Sequence, residues 1–154
     1  MAQAAKKQQD QQHEDFVARA ETVIDAPPEK VWKALTEPAL VKEVMFGSDV
    51  TTDWKVGSPI TWKGEWEGKP FEDKGKVVEF TPNKALRTTH FSPLGGKEDK
   101  PENYHEVGYT LTPDGEGKTK VVCTQTNNPT RESAEHSVKN WKMMLENLKK
   151  VAER

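Results

Sequence analysis

Cysteine is almost missing from this sequence of 154 residues, in which Cys123 stands alone. A single cysteine permits no disulfide within the chain and fits a reducing compartment. Long apolar runs are missing too: the longest cover a few residues, far below the roughly 20 that span a bilayer. The first residues, MAQAAKKQQDQQHEDF, contain no apolar segment typical of a secretory signal. These absences predict a cytoplasmic protein with no membrane partner.

A large excess of charge of one sign is also missing. The 23 basic and 25 acidic residues give a formal net charge of -2, so we expect no nucleic-acid partner, which would require a broad basic surface. The hydrophobic fraction is 33%, and the 10 glycines bring it to roughly 40%, below the usual ~45–50%. The length is that of one domain, so a modest core under a charged surface is expected.

Sequence motifs for metal, phosphate or nucleophilic chemistry are not found. The four histidines form no H-E-x-x-H motif and no zinc-type spacing with the cysteine. Neither a G-x-S-x-G motif nor a phosphate-binding glycine loop before a helix is present. His90 and His105 are predicted to approach each other across neighbouring strands, but no further ligands can be assigned to them. The sequence therefore predicts no metal and no cofactor.

The chain divides into a short polar segment and one domain. Residues 1–14 are rich in Gln, Lys and Asp, which predicts a flexible tail, or alternatively a frayed helix. Residues 15–154 form the predicted domain, which begins with a strand over about Phe16–Ile24 (FVARAETVI). The stretch IDAPPEKVWKALTEPALVKEVMF follows, and its prolines predict two short helices. Proline disfavours a helical conformation at the residue before it but suits the first helical position, so the helices should start at Pro28 and Pro38.

The rest of the chain changes from a strand pattern to a helix pattern. SPITWKGEW, KGKVVEF, ALRTTHF, YHEVGYTLT and KTKVVCTQT alternate with turn residues, which predicts an antiparallel meander. The segment GEWEGKPFEDKGK, where acids alternate with lysines, is interpreted as a solvated sheet face. From about Glu132 to Arg154, apolar residues recur three or four positions apart, typical of an amphipathic helix. They are Ala134, Val138, Trp141, Leu145, Leu148 and Ala152.

This order of elements, together with IDAPPEKVWKALTEP and NWKMMLENL, resembles the START and Bet v 1-like (SRPBCC) superfamily over roughly residues 16–153. The branch it resembles is that of the C-terminal domain of the activator of heat-shock protein 90 ATPase. The resemblance implies an α+β helix-grip fold, in which a curved antiparallel sheet wraps around a long C-terminal helix and often leaves an apolar cavity. The best-known co-chaperones of that branch carry a separate N-terminal domain that contacts the chaperone, and 14 polar residues cannot replace it.

A cavity of that kind would suit a small apolar or aromatic ligand. The residues predicted to line it lie on one face of the strands and on the apolar stripe of the C-terminal helix. They are Ile60, Trp62, Trp66, His105, Val107, Tyr109, Leu111, Trp141 and Leu145. The alternative is that these side chains pack against each other as a solid core.

Two other functions remain open at this stage. One is a chaperone-associated stress-response protein that acts through its surface. The other is an enzyme of the cyclase or hydrolase type found in the wider superfamily, where His105, Tyr109 and Arg87 are the available acid–base residues. No catalytic residue is assigned, and non-catalytic ligand binding is the leading hypothesis.

Overall fold

The structure is a computed structural model that describes residues 16–154, apart from the side-chain surroundings of Trp66 and Gly95. The predicted tail, residues 1–14, lies outside the described residues. Within the described range the chain forms seven strands, three α-helices and two 3₁₀ turns. In chain order they are β1 (Phe16–Ile24), α1 (Pro28–Thr36), α2 (Pro38–Val44), β2 (Asp49–Thr51), β3 (Pro59–Trp66), β4 (Lys69–Thr81), β5 (Ala85–His90), the turns Pro93–Gly95 and Pro101–Asn103, β6 (His105–Pro113), β7 (Thr119–Asn128) and α3 (Arg131–Ala152).

Prolines set the ends of the two short helices, as predicted. Pro27 is extended, with φ −69° and ψ 158°, and α1 begins at Pro28. Glu37 is extended as well, with φ −76° and ψ 122°, so α1 ends before it and α2 begins at Pro38. A residue before proline avoids the helical region, whereas proline loses nothing at the first helical position. The predicted bend between two short helices is confirmed.

The strands form one antiparallel sheet in the order β1-β7-β6-β5-β4-β3-β2. Strands β2 to β7 each pair with the next strand in the chain, and β1 pairs with β7. The edge strands of the sheet are therefore β1 and β2. The predicted meander is confirmed, with two differences. The short β2 was not predicted, and β4 is longer than expected because it begins at Lys69 rather than near Lys74.

Helix α3 packs its apolar face against the sheet. It starts with a capping box, in which Thr130 and Ser133 bind each other's backbone N–H groups, and this fixes its first turn. Its buried residues are Ala134, Met144, Leu145, Leu148 and Ala152. The last four of these belong to a core cluster that includes Ile24, Val121 and Cys123 from β1 and β7. The predicted α+β helix-grip fold is confirmed. Among the described residues, no helix is long and apolar enough to cross a membrane.

A buried hydrogen bond ties the start of β7 to the segment between β1 and α1. The Thr119 hydroxyl donates to the carbonyl of Ala26 at 2.7 Å, and both residues are buried. We expect Thr119→Val to lower the free energy of unfolding by about 1–3 kcal/mol, because the carbonyl then stays buried without this donor. Urea denaturation measures the loss. Thr110→Val, at an exposed position of β6, is the control and should change it by less than about 0.5 kcal/mol.

Candidate ligand-binding site

A cavity of about 280 Å³ lies between the sheet and the helices. Its walls come from α1, α2, strands β2 to β7 and α3, together with the segments that flank β2. Its volume is near the lower end of the ~300–1,000 Å³ range of ligand pockets. The space is therefore sized for a small molecule, such as a bicyclic aromatic compound, rather than a long acyl chain.

Aromatic side chains from the sheet and from α3 meet in the wall. Tyr109 on β6 and Trp141 on α3 contact each other edge to face, with ring centroids 6.1 Å apart. The indole N–H of Trp141 donates to Oε1 of Gln125 on β7 at 2.5 Å, which fixes the ring against the sheet. Trp62 on β3 forms another part of the wall. Flat apolar surfaces of this kind favour a flat apolar ligand.

Two bulky residues in the wall have a strained backbone. Phe46 and Trp54 adopt φ values of 54° and 64°, in the left-handed region that large side chains rarely occupy. Trp54 is held by stacking on Phe80, with ring centroids 5.6 Å apart. Phe46 is 54% exposed and therefore lies at the rim of the cavity. Strain of this kind persists only where the surroundings enforce it, and it is frequent at binding sites.

One hydrogen-bonded pair of polar side chains lies within the otherwise mainly apolar wall. Asp73 on β4 is opposite Trp62 in the β3–β4 register, and its Oδ2 lies 2.9 Å from Nε2 of His90 at the end of β5. The side chains of Asp73 and His90 are 17% and 28% exposed. The His90 ring also contacts Trp62, with centroids 5.2 Å apart. This pair gives the cavity a polar end next to an aromatic surface.

The structure brings together five of the nine residues predicted from the sequence. The five that line the cavity are Ile60, Trp62, Val107, Tyr109 and Trp141. Leu111 and Leu145 are not among the lining residues; both are buried in the core cluster. Trp66 ends β3, and its side chain lies outside the described part of the structure.

His105 is also displaced from the predicted cavity. It is opposite His90 in the β5–β6 register, with ring centroids 6.4 Å apart, as the sequence predicted. Its Nδ1 lies 2.8 Å from the carbonyl oxygen of Thr126, and the residue lines a separate depression beside the second 3₁₀ turn. The backbone at the end of β7 thus positions the imidazole outside the cavity.

The three acid–base residues considered for an enzyme do not converge. Arg87 pairs with Glu106 at the surface, through its Nε at 2.8 Å and also through a terminal nitrogen. Only Tyr109 of the three lines the cavity. Burial raises the pKa of Tyr109 well above its ordinary value, with Cys123 as a smaller cause, so the phenol stays protonated. This arrangement does not support the acid–base mechanism considered from the sequence.

Thiol and metal chemistry also find no support in the described part of the chain. Cys123 is buried, and burial raises the pKa of its thiol far above the ordinary value. A thiol of that kind is a poor nucleophile. Between residues 16 and 154, no group of three or more His, Cys, Asp or Glu side chains is placed to hold a metal ion.

Sequence reasoning missed the polar end of the cavity. The segment GEWEGKPFEDKGK was interpreted as a solvated sheet face, but Phe71 and Asp73 line the cavity. A signal was present: Phe71, Asp73, Gly75 and Val77 share one face of β4, because side chains two positions apart point the same way. Buried Val77 marks that face as the inner one. His90 was considered only as a metal ligand.

Comparison with models of known protein families shows the family to which the chain belongs. The family model described as activator of Hsp90 ATPase homolog 1-like protein matches residues 25–153. The chain belongs to this family. It is 53% identical to the protein ChR145 from Cytophaga hutchinsonii, whose solution structure superposes with a TM-score of 0.76 over 88% of this chain and 92% of that one. No curated protein matches the chain.

Two other solved structures with a similar fold are named for Aha1 or for activation of HSP90. The Aha1 dimer from Colwellia psychrerythraea is 27% identical, with a TM-score of 0.69 over 90% of this chain and 96% of that one. An HSP90 activator from Plasmodium falciparum is 19% identical, with a TM-score of 0.69 over 88% and 95%. At that identity the Plasmodium protein shows a shared fold and nothing more. The resemblance predicted from the sequence is confirmed at the level of family and fold.

Proposed function

We propose that this protein binds a small apolar or aromatic molecule in the cavity between the sheet and α3, without catalysing a reaction. The observation that supports the proposal is a partly open cavity of about 280 Å³ between the sheet and the helices. Protein interiors pack at the density of organic crystals, and large side chains that line an open space lack contacts on that side. A ligand would restore those contacts.

The wall supports this proposal in two ways. Trp62, Tyr109 and Trp141 present aromatic rings from three separate elements, so a flat molecule would contact protein on several sides. Phe46 and Trp54 are held in strained conformations beside the same space. Their strain is a cost to folding that a bound ligand would help to offset. The single cysteine supports a cytoplasmic location for this activity.

We expect a thermal-shift screen with small aromatic compounds, fatty acids and flavonoids to find ligands among the aromatic compounds. A ligand held at 100 times its dissociation constant should stabilise the fold by about 2.7 kcal/mol. For a domain of this size, that raises the melting temperature by about 5–10 °C. Because Trp62 and Trp141 line the cavity, the same ligand should change the tryptophan fluorescence.

A pair of tryptophan variants distinguishes an effect on ligand affinity from an effect on the stability of the core. Trp62→Ala should weaken binding by about tenfold, since it removes one aromatic contact with the ligand. Trp32→Phe is the control: Trp32 is 7% exposed and packs edge to face on Phe80, so this change should lower stability and leave affinity unchanged. If no compound shifts the melting temperature, or if both variants affect affinity equally, the cavity does not act as a binding site.

A second candidate function is contact with a chaperone of the Hsp90 type. The match to a family named for activation of the Hsp90 ATPase favours it. In that case, addition of the protein to purified Hsp90 should raise the rate of ATP hydrolysis, and Trp62→Ala should not abolish the effect. An unchanged rate at saturating protein would leave ligand binding as the better account.

A further inference from the structure

The Asp73–His90 pair gives the cavity wall a directional hydrogen-bonding group. Among the side chains that line the cavity, Asp73 and His90 are the charged or readily titrated ones, and no lysine or arginine is present. The basic neighbour of Asp73 along β4, Lys74, is paired elsewhere, with Asp99. Asp73 Oδ1 is buried and has no hydrogen-bond partner among the described residues. Within the described residues, the one side-chain hydrogen bond of this carboxylate is that with His90.

The carboxylate decides which nitrogen of His90 carries the proton. A carboxylate oxygen 2.9 Å from Nε2 accepts a hydrogen bond from it, so in the neutral ring the proton lies on Nε2 and Nδ1 keeps its lone pair. Within residues 16–154, Nδ1 of His90 has no hydrogen-bond partner. The residue lines the cavity next to Trp62. The neutral form of this lining residue thus has a free acceptor nitrogen and an aromatic ring as its neighbour.

We propose that the ligand is an aromatic molecule with a hydroxyl group, which donates a hydrogen bond to Nδ1 of His90 while Asp73 positions the imidazole. This inference rests on the proposed ligand-binding function and narrows it to a ligand class. A carboxylic acid fits poorly, because its anion would approach the Asp73 carboxylate in a wall without lysine or arginine. A ligand with only acceptor groups would face another acceptor at Nδ1.

The test compares 2-naphthol with 2-methoxynaphthalene, which share the bicyclic ring but differ in the O–H donor. At pH 8, the protein should bind 2-naphthol about 3- to 10-fold more tightly, the value of one net hydrogen bond. Fluorescence titration measures both dissociation constants. His90→Phe should remove this preference and leave the affinity for 2-methoxynaphthalene nearly unchanged.

Two variants and a spectrum test the role of Asp73. An amide at position 73 can donate to Nε2 as well as accept from it, so Asp73→Asn should no longer hold the His90 proton on Nε2, and the preference for 2-naphthol should fall. ¹⁵N chemical shifts of His90 should report the Nε2–H tautomer in the parent and a larger Nδ1–H fraction in the variant. His105→Phe is the matched control, since His105 is the cross-strand neighbour of His90 outside the cavity, and it should keep the preference.

The outcomes separate this inference from the proposed function. Equal binding of both probes by the parent protein would overturn the hydroxyl inference and leave ligand binding intact. Persistence of the preference in His90→Phe would also overturn it, since the donor would then be recognised elsewhere. Binding of neither probe would count against the proposed function itself. The comparison of probes and the tautomer of the parent need no variant, so both results stand even where a substitution prevents folding.

Discussion

Replacement of Leu148 by aspartate is expected to abolish stable folding. Leu148 is 0% exposed and lies in the core cluster between α3 and the sheet. Removal of a buried leucine side chain alone costs about 2–5 kcal/mol, and a carboxylate without a partner in an apolar site costs several more. The sum approaches the whole free energy of unfolding of a domain, about 5–15 kcal/mol.

A neighbouring methionine provides the control for this substitution. Met143 lies on the same helix but is 52% exposed, so Met143→Asp should change the free energy of unfolding by no more than about 0.5 kcal/mol. Circular dichroism at 222 nm, followed with temperature and with urea, measures both variants. If Leu148→Asp melts like the parent, or if the two variants lose stability equally, α3 does not pack on the sheet by this face.

The fold was predictable because its signals are local. Pro28 and Pro38 fix the two helix starts through backbone sterics at single residues, and the period of α3 is visible in one segment. The bounds of β2 and the start of β4 were not predictable in the same way. Asp49–Thr51 is too short to show a period, and it becomes a strand by pairing with β3. That pairing depends on how distant segments meet.

The cavity lining was only partly predictable, because a strand pattern shows which face is inside but not where packing stops. Val107, Tyr109 and Leu111 share the inner face of β6, yet only the first two line the open space, while Leu111 is covered by the core. His105, on the same strand, is held by the carbonyl of Thr126. The Asp73–His90 contact joins two strands, and neither residue alone indicates it.

The position of Asp73 beside His90 depends on a glycine two residues away. At Gly75, β4 passes so close to β5 that an added Cβ would lie 1.8 Å from the carbonyl oxygen of Thr89. Here the N–H of Lys76 donates to the hydroxyl of Thr89 at 2.8 Å rather than to a backbone carbonyl. Lys74 then exchanges two backbone hydrogen bonds with Phe91, at 3.0 and 2.7 Å. Because the two backbones approach closely at Gly75, β4 stays beside the end of β5, where Asp73 meets His90.

We expect Gly75→Ala to lower the free energy of unfolding by about 3 kcal/mol, the upper part of the range for overpacking. The methyl group meets backbone rather than a movable side chain, so the strands must separate. For a domain of this length, the melting temperature should fall by about 6–12 °C. Gly108→Ala is the control, because its Cβ would meet the flexible Arg87 side chain at 3.3 Å, and it should cost less than about 1 kcal/mol.

Gly75→Ala should also change the Asp73–His90 contact in the candidate site. Separation of β4 from β5 moves Asp73 away from His90, so Gly75→Ala should lose the Nε2–H tautomer of His90 even at temperatures where the variant is folded. ¹⁵N chemical shifts of His90, recorded well below the melting temperature of the variant, measure this effect. A variant with lowered stability but an unchanged tautomer would show that Asp73 holds His90 without the close approach at Gly75. Unchanged stability would show that β4 and β5 lie far enough apart to accept the methyl group, contrary to the 1.8 Å between the added Cβ and the carbonyl oxygen of Thr89.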